Sequence, residues 1–159
     1  MKIAYYGLGC FWGAEYYFKK TAGVISTKVG YMGGTVNQPT YQDVCSGRSG
    51  HAEVVEVTYD ETIIDFETLT RLFFELHDPN QLDRQGPDIG EQYRSVIFYQ
   101  DQIELKISND LIQILIRKGN EIATQTVPMK QFYPAEDYHQ DYYNKKGGTP
   151  YCHRYTKRF

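Results

Sequence analysis

The chain predicts an α/β (α+β) fold, a two-layer sandwich in which helices cover a mixed β-sheet. Three observations carry this. Short apolar runs of strand character alternate with segments of helical periodicity along the whole length. The connections between them are longer than one tight turn. The 159 residues are 41% apolar, enough for one core, with no internal repeat, low-complexity tract or interdomain linker. A single catalytic domain over 1–159 follows.

The elements read in order. Ile3-Ala4-Tyr5-Tyr6 is a short buried strand, and Phe11 to Lys20 a helix with Gly23 as its stop. Val24 to Met32 is a strand ending at Gly33-Gly34. Residues 33 to 51 form a long connection rich in Gly, Ser, Thr, Asn and Pro, of a length more often functional than filler. Glu53 to Asp60 alternates as a strand with one wetter face. Asp65 caps a helix running to about His77, with Leu69, Leu72, Phe73 and Leu76 on one side. A Gly/Pro/Asp-rich connection over 78 to 92 leads into the strand Arg94 to Tyr99. Asp101 to Lys118 is a helix with Ile103, Ile107, Leu111, Ile114 and Leu115 on one side. Glu121 to Val127 is a further strand, and Glu136 to Tyr143 a short aromatic helix. Lys145 to Phe159, with Gly147-Gly148 and Pro150, reads as a mobile C-terminal tail.

Composition excludes several partners. A net charge of −3 leaves no basic footprint, so neither nucleic acid nor an anionic membrane is expected. No segment approaches the roughly 18 apolar residues of a membrane helix. The N-terminus has no apolar signal core, since Lys2, Trp12, Glu15 and Lys19 interrupt it, and a cytoplasmic monomer is the expectation. Three widely spaced cysteines, Cys10, Cys45 and Cys152, make no disulfide scaffold and read as free, catalytic or metal-binding thiols.

Cys10 is the strongest candidate. It sits at a strand-to-helix junction, where unpaired backbone N–H groups and the helix dipole stabilise a thiolate and lower the thiol pKa from about 8.5. Gly9 and Gly13 open space around the sulfur, and Phe11 and Trp12 floor an apolar pocket. Glu53 opens an otherwise apolar strand, and burial without a cation would keep its carboxyl protonated near neutrality. Asp88 and Tyr93 flank the polar cluster before the strand at 94. Tyr41 and Cys45 lie in the long connection.

These segments are Gly9-Cys10-Phe11-Trp12-Gly13-Ala14-Glu15, Thr40-Tyr41-Gln42-Asp43-Val44-Cys45-Ser46-Gly47, Gly50-His51-Ala52-Glu53-Val54-Val55 and Gly90-Glu91-Gln92-Tyr93-Arg94-Ser95. With Phe132-Tyr133-Pro134-Ala135-Glu136-Asp137-Tyr138-His139-Gln140 they resemble, in order, the motifs of the peptide methionine sulfoxide reductase A family. The resemblance spans nearly the whole chain. It implies reduction of methionine sulfoxide, of the S epimer, in proteins and as the free amino acid, and so the repair of oxidised proteins. It makes Cys10 the nucleophile, Glu53 the proton donor to the sulfoxide oxygen, and Tyr41 and Tyr93 donors to that oxygen. Phe11 and Trp12 hold the substrate methyl group, and Asp88 is a carboxylate near the sulfur. Tyr151-Cys152 matches the pair whose cysteine resolves the sulfenic acid, with Cys45 as its rival. The tail after Cys152, His153 to Phe159, is short and basic and lacks the second-cysteine ending of some members. No Cys-x-x-Cys is present, so a thioredoxin-type reductant is implied, with no metal or organic cofactor. Two other readings share these residues. Cys45, His51, Cys152 and His153 could bind zinc, although their spacing fits no standard pattern. A thiol redox sensor would use Cys10 but neither the acid nor the aromatic pocket.

Overall fold

The computed structural model describes residues 1–159. The first apolar run lies inside the sheet. Strand β1 (Lys2–Leu8) pairs antiparallel with β3 (Ala52–Tyr59) on one side and with β6 (Ser95–Tyr99) on the other. Beyond β3 lies β2 (Val24–Met32), also antiparallel, and beyond that the two-residue β8 (Tyr133–Pro134). On the other flank β7 (Gln125–Pro128) runs parallel to β6. The sheet order is β7-β6-β1-β3-β2-β8, mixed as the sequence predicts.

Strand periodicity divides the buried residues between two faces. Ala4, Tyr6, Leu8, Val55 and Val57 point to one face, where they meet three helices: α1 (Phe11–Lys19), α3 (Phe66–Glu75) and α4 (Gln102–Arg117). Tyr6 is fully buried there, stacked between Phe18 and Phe73, and its hydroxyl pairs with Thr70 Oγ1 at 2.8 Å. Tyr5, Val54, Val96 and Phe98 point to the other face, which Phe132 and Val127 cover in place of a helix.

The long regular elements fall where periodicity puts them. Asp65 caps α3 by accepting from Thr68 N, and Asp101 caps α4 through Glu104 N. Differences concentrate in the short pieces. Helix α1 ends at Lys19 with Lys20 as its cap; Gly23, at φ +96°, instead serves the turn into β2. Ile103 is 71% exposed, in a first turn of α4 that is tied back by Glu104 accepting from Gln100 N. Residues 121–124 hold no strand. The connection over 33–51 contains a helix, α2 (Tyr41–Cys45). The second connection contains a hairpin of β4 (Arg84–Gln85) and β5 (Asp88–Ile89), then a 3-10 turn, Glu91–Tyr93. The aromatic helix expected over 136–143 is a 3-10 turn, Asp137–His139, followed by α5 (Tyr142–Lys146).

The last stretch divides in two. Residues 144–149 are exposed. Residues 153–159 are docked: His153 is buried, Thr156 N donates to Glu75 O, and the Arg158 guanidinium donates to Phe74 O and His77 O.

Candidate active site

Cys10 occupies the N-cap position of α1, immediately beyond the end of β1. The turn between them needs Gly9, whose φ is +92° and whose Cβ, if it had one, would lie 2.8 Å from Gln85 Cβ. Gly13 is needed for a second close approach, to the His153 ring. Both glycines thus admit neighbouring side chains, where the sequence suggested open space around the sulfur.

The helix N-terminus behaves as expected in part. The N–H groups of Trp12 and Gly13 reach the Cys10 sulfur and favour its thiolate. Burial opposes them, and the nearby Glu53 and Asp88 carboxyls add to it, so the thiol pKa is raised well above its ordinary value. This corrects the expectation of a lowered pKa: at rest Cys10 is a protonated thiol, 9% exposed. Cys45, an exposed thiol, is the more open to an alkylating reagent.

Glu53 follows Ala52 at the start of β3 and is 2% exposed. Its Oε1 accepts the Phe11 N–H at 3.1 Å, which ties this carboxyl to the first residue of the helix that Cys10 precedes. No cation faces it. Burial, with a smaller contribution from Asp88, pushes its pKa up to about 8, so it carries a proton at neutral pH as the sequence suggested.

The tyrosines come from the two long connections. Thr40 and Asp43 form a capping box at the start of α2, and Tyr41 is the first residue inside it. The Tyr41 hydroxyl is bonded to Cys45 and feels the Glu53 charge. Tyr93 closes the 3-10 turn, half-buried, and its hydroxyl is raised by burial and by Glu53, Asp88, Cys45 and Cys10 together. The two long connections therefore deliver both hydroxyls to the acid.

Trp12 is half-buried and stacks on Tyr142, with centroids 3.8 Å apart, while its Nε1–H donates to His139 Nδ1 at 3.0 Å. Phe11 is 1% exposed and lies beneath, packed with Tyr31, Val29, Val44 and Ala135. Beside this surface a cleft of about 420 Å³ runs between α1 and α5, lined by Trp12, Tyr16, Tyr142 and Tyr143.

Asp88 sits in β5 and holds the tail. Its Oδ2 accepts from the Cys152 thiol at 2.9 Å, and its Oδ1 accepts from the Tyr151 hydroxyl at 3.1 Å. Burial and the Asp88 hydrogen bond push the Cys152 pKa up to about 12. The resemblance puts Asp88 near the Cys10 sulfur; it influences Cys10 while its hydrogen bonds go to the 151–152 pair.

Several residues in the neighbourhood had no role assigned from sequence. Glu136 accepts from Tyr31 Oη at 3.0 Å and from Tyr41 N at 3.1 Å, fixing α2 against β2. Gln140 accepts from Val29 N and donates to Val29 O, imitating a strand on the edge of β2. Fully buried His139 lies under the rings of Phe11, Trp12 and Tyr41. All three lie in the quoted motif at 132–140, so the signal was present without a chemical function attached. Tyr143 feels Cys10 and Cys152 together, a proximity no spacing rule reveals.

The zinc reading loses a ligand. His51 Nδ1 accepts from Gly34 N at 3.0 Å and its Nε2 pairs with Val36 O at 2.7 Å, so both ring nitrogens are engaged. No three His, Cys, Asp or Glu side chains converge as a metal centre.

Known proteins match this arrangement across the chain. The family model described as peptide methionine sulfoxide reductase matches residues 2–159. A peptide methionine sulfoxide reductase MsrA from Sulfolobus acidocaldarius is 48% identical over 153 residues, which cover 96% of this chain and 87% of that protein. The crystal structure of Mxr1 from Saccharomyces cerevisiae in reduced form superposes with a TM-score of 0.91 at 36% identity, covering 99% of this chain and 92% of that one. Mxr1 in complex with Trx2 superposes less closely, with a TM-score of 0.65 at 29% identity over 97% of this chain and 88% of that one. A protonated acid buried beside a thiol at a helix N-terminus, set in a fold shared over nearly its whole length, leads to one assignment: the chain belongs to the peptide methionine sulfoxide reductase family.

Proposed function

We propose that this protein reduces the S epimer of methionine sulfoxide, in oxidised proteins and as the free amino acid, with Cys10 as nucleophile and Glu53 as acid. The observation that carries the assignment is the buried, protonated Glu53 carboxyl joined to Phe11 N, one residue from Cys10. A sulfoxide oxygen leaves only when protonated, and a carboxyl with a pKa of about 8 still holds its proton at neutral pH. Glu53 donates that proton while the Cys10 sulfur attacks the sulfoxide sulfur. The S–O bond passes from the substrate to Cys10, methionine departs reduced by two electrons, and Cys10 becomes a sulfenic acid. The Cys10 thiol proton replaces the one Glu53 gave, so the acid is restored. Tyr41 and Tyr93 donate to the oxygen as charge develops on it. Trp12 offers the apolar face for the methyl group, and Phe11 backs it.

Cys152 resolves the sulfenic acid. Its sulfur displaces the hydroxyl from Cys10, forming a Cys10–Cys152 disulfide and releasing water. Asp88 holds Cys152 as a thiol until then. A thioredoxin-type dithiol reduces the disulfide, a step supported by the likeness to Mxr1 bound to Trx2. No helix is long and apolar enough to cross a membrane. Three unpaired thiols suit a reducing compartment, and the cytoplasm is the location we favour.

The test uses racemic methionine sulfoxide with the remaining epimers resolved by chromatography. Wild type should consume one epimer, and Cys10→Ser none. Cys152→Ser should release one methionine per chain, lose thioredoxin-driven turnover and keep some activity with dithiothreitol, while Cys45→Ser changes little. A Cys10–Cys45 cross-link in peptide mass maps would move the resolving role to Cys45.

A further inference from the structure

His153 follows the proposed resolving cysteine directly and is buried, 2% exposed, at the end of the chain's mobile-looking stretch. Its Nε2 lies 2.5 Å from Leu8 O, the last carbonyl of β1 before the turn that carries Cys10. A carbonyl accepts only, so Nε2 carries the hydrogen and Nδ1 does not. Nδ1 has no partner. It faces Gly13 so closely that a Cβ there would lie 2.3 Å from it. The His153 backbone is fastened as well: its carbonyl accepts from the Tyr17 hydroxyl at 3.2 Å. One residue is thus joined to the end of β1, the first turn of α1 and the middle of α1. These are the segments that hold the nucleophile.

The chain on either side differs. Beyond His153 the tail stays docked on α3 through Thr156, Arg158 and the Phe159 ring against Phe74. Before it, residues 144–149 are exposed, and Gly147 and Gly148 have positive φ with open space around them. An unpartnered buried nitrogen destabilises the fold, so packing alone would favour an apolar side chain here. The imidazole earns its place by supplying Leu8 O with a donor.

We infer that His153 is a positioning residue for the resolving step, a fixed pivot that keeps Cys152 within reach of Cys10 while residues 147–152 swing. The inference rests on Cys10 as nucleophile and Cys152 as resolver. In the step it serves, the Cys152 sulfur forms a bond to the Cys10 sulfur and the Cys10 S–O bond breaks. Cys152 is oxidised, Cys10 is reduced from the sulfenic state, and the thiol proton leaves with the hydroxyl as water. The two α-carbons must come within about 7 Å. With the pivot in place only Cys152 and the segment before it need move. Without it the nearest fixed point is the bond from Thr156 N to Glu75 O, a longer segment is free to move, and the effective concentration of Cys152 at Cys10 falls.

Rapid-quench measurements with one equivalent of substrate separate the two chemical steps. His153→Ala should release methionine at the wild-type rate and form the Cys10–Cys152 disulfide about tenfold or more slowly, with the sulfenic acid trapped by dimedone in the interval. A Gln at this position can again direct an N–H at Leu8 O, so His153→Gln should recover most of the rate. Tyr17→Phe removes only the bond to the His153 carbonyl and should slow the same step less; it carries the test if His153→Ala does not fold. Unchanged disulfide formation in His153→Ala, or methionine release slowed to the same degree as disulfide formation, overturns the inference. So does a Gln variant no better than Ala. Failure of the underlying assignment looks different: wild type itself would yield no Cys10–Cys152 peptide, and the pivot would fall with it.

Discussion

At the scale of the residue, the site rests on two groups that burial keeps protonated: Glu53, which would be ionised in water at neutral pH, and Cys10, whose thiol is held still further from ionising. Burial raises the Cys10 thiol, and the Glu53 charge would raise it further, so the pair avoids carrying two negative charges side by side. Substrate chemistry fits that state, since the carboxyl's proton goes to the oxygen as the thiol is used. Glu53→Gln keeps the shape and removes the acid. Methionine release in a single turnover should fall on the order of a hundredfold or more, with little change in substrate binding. Wild-type release should also decline above about pH 8, as Glu53 ionises. Stability follows the same proton. The folded carboxyl titrates near 8, against about 4.3 in an unfolded chain. Between those values the folded state binds a proton the unfolded state lacks, so stability falls as pH rises through the window. Glu53→Gln has no such proton. Its melting temperature should gain on the wild type steadily from about pH 5 to pH 8, and parallel curves would show that Glu53 is not buried in its protonated form.

Among the elements, those with enough length to repeat a pattern were legible and the short ones were not. Strands β1, β2, β3 and β6 and helices α1, α3 and α4 each bury a face, and burial imposes the period by which they are read. Helix α2 has five residues and buries only Val44, so it has no period to show; its local signature is the Thr40/Asp43 capping box. Helix α5 and the 3-10 turns before β6 and α5 are equally short. Cys10 was legible from its place at a strand-to-helix junction, and Glu53 because it opens an otherwise apolar strand. The inverted Cys10 pKa was not, because burial and a neighbouring carboxyl are tertiary facts. Nor was the role of Gly13, whose partner His153 lies at the far end of the sequence. Helix α2 also offers a test at its own scale. Thr40→Ala removes the side chain that accepts from Asp43 N and costs about 1 kcal/mol locally. Because α2 carries Tyr41 and little of the core, kcat/KM should drop about fivefold while the melting temperature scarcely moves. An unchanged kcat/KM would mean that Tyr41 is held by Glu136 and the His139 ring alone.

On the scale of the whole molecule, the sheet presents the proposed catalytic residues at one end of its central strands. Leu8 ends β1, Glu53 is the second residue of β3 beside it, and Ser95 begins β6, with Tyr93 two residues earlier. The antiparallel pairing of β1 with both neighbours brings those ends together. The tail returns to the same end and lays Cys152 on Asp88. The proposed nucleophile and resolver therefore come from opposite ends of the sequence, at positions 10 and 152. A bond between them encloses about 140 residues in a covalent ring, which deprives the unfolded chain of much of its freedom; loop-closure entropy for a ring of this size amounts to about 5 kcal/mol, less any distortion of the folded state. Each catalytic cycle should then alternate between a tethered protein and an open one of lower stability. Scanning calorimetry should find the oxidised form melting on the order of 10 °C above the reduced form. Cys152→Ser, treated with the same substrate, should show no such rise, which would make heat resistance itself a record of where each molecule stands between oxidation and reduction.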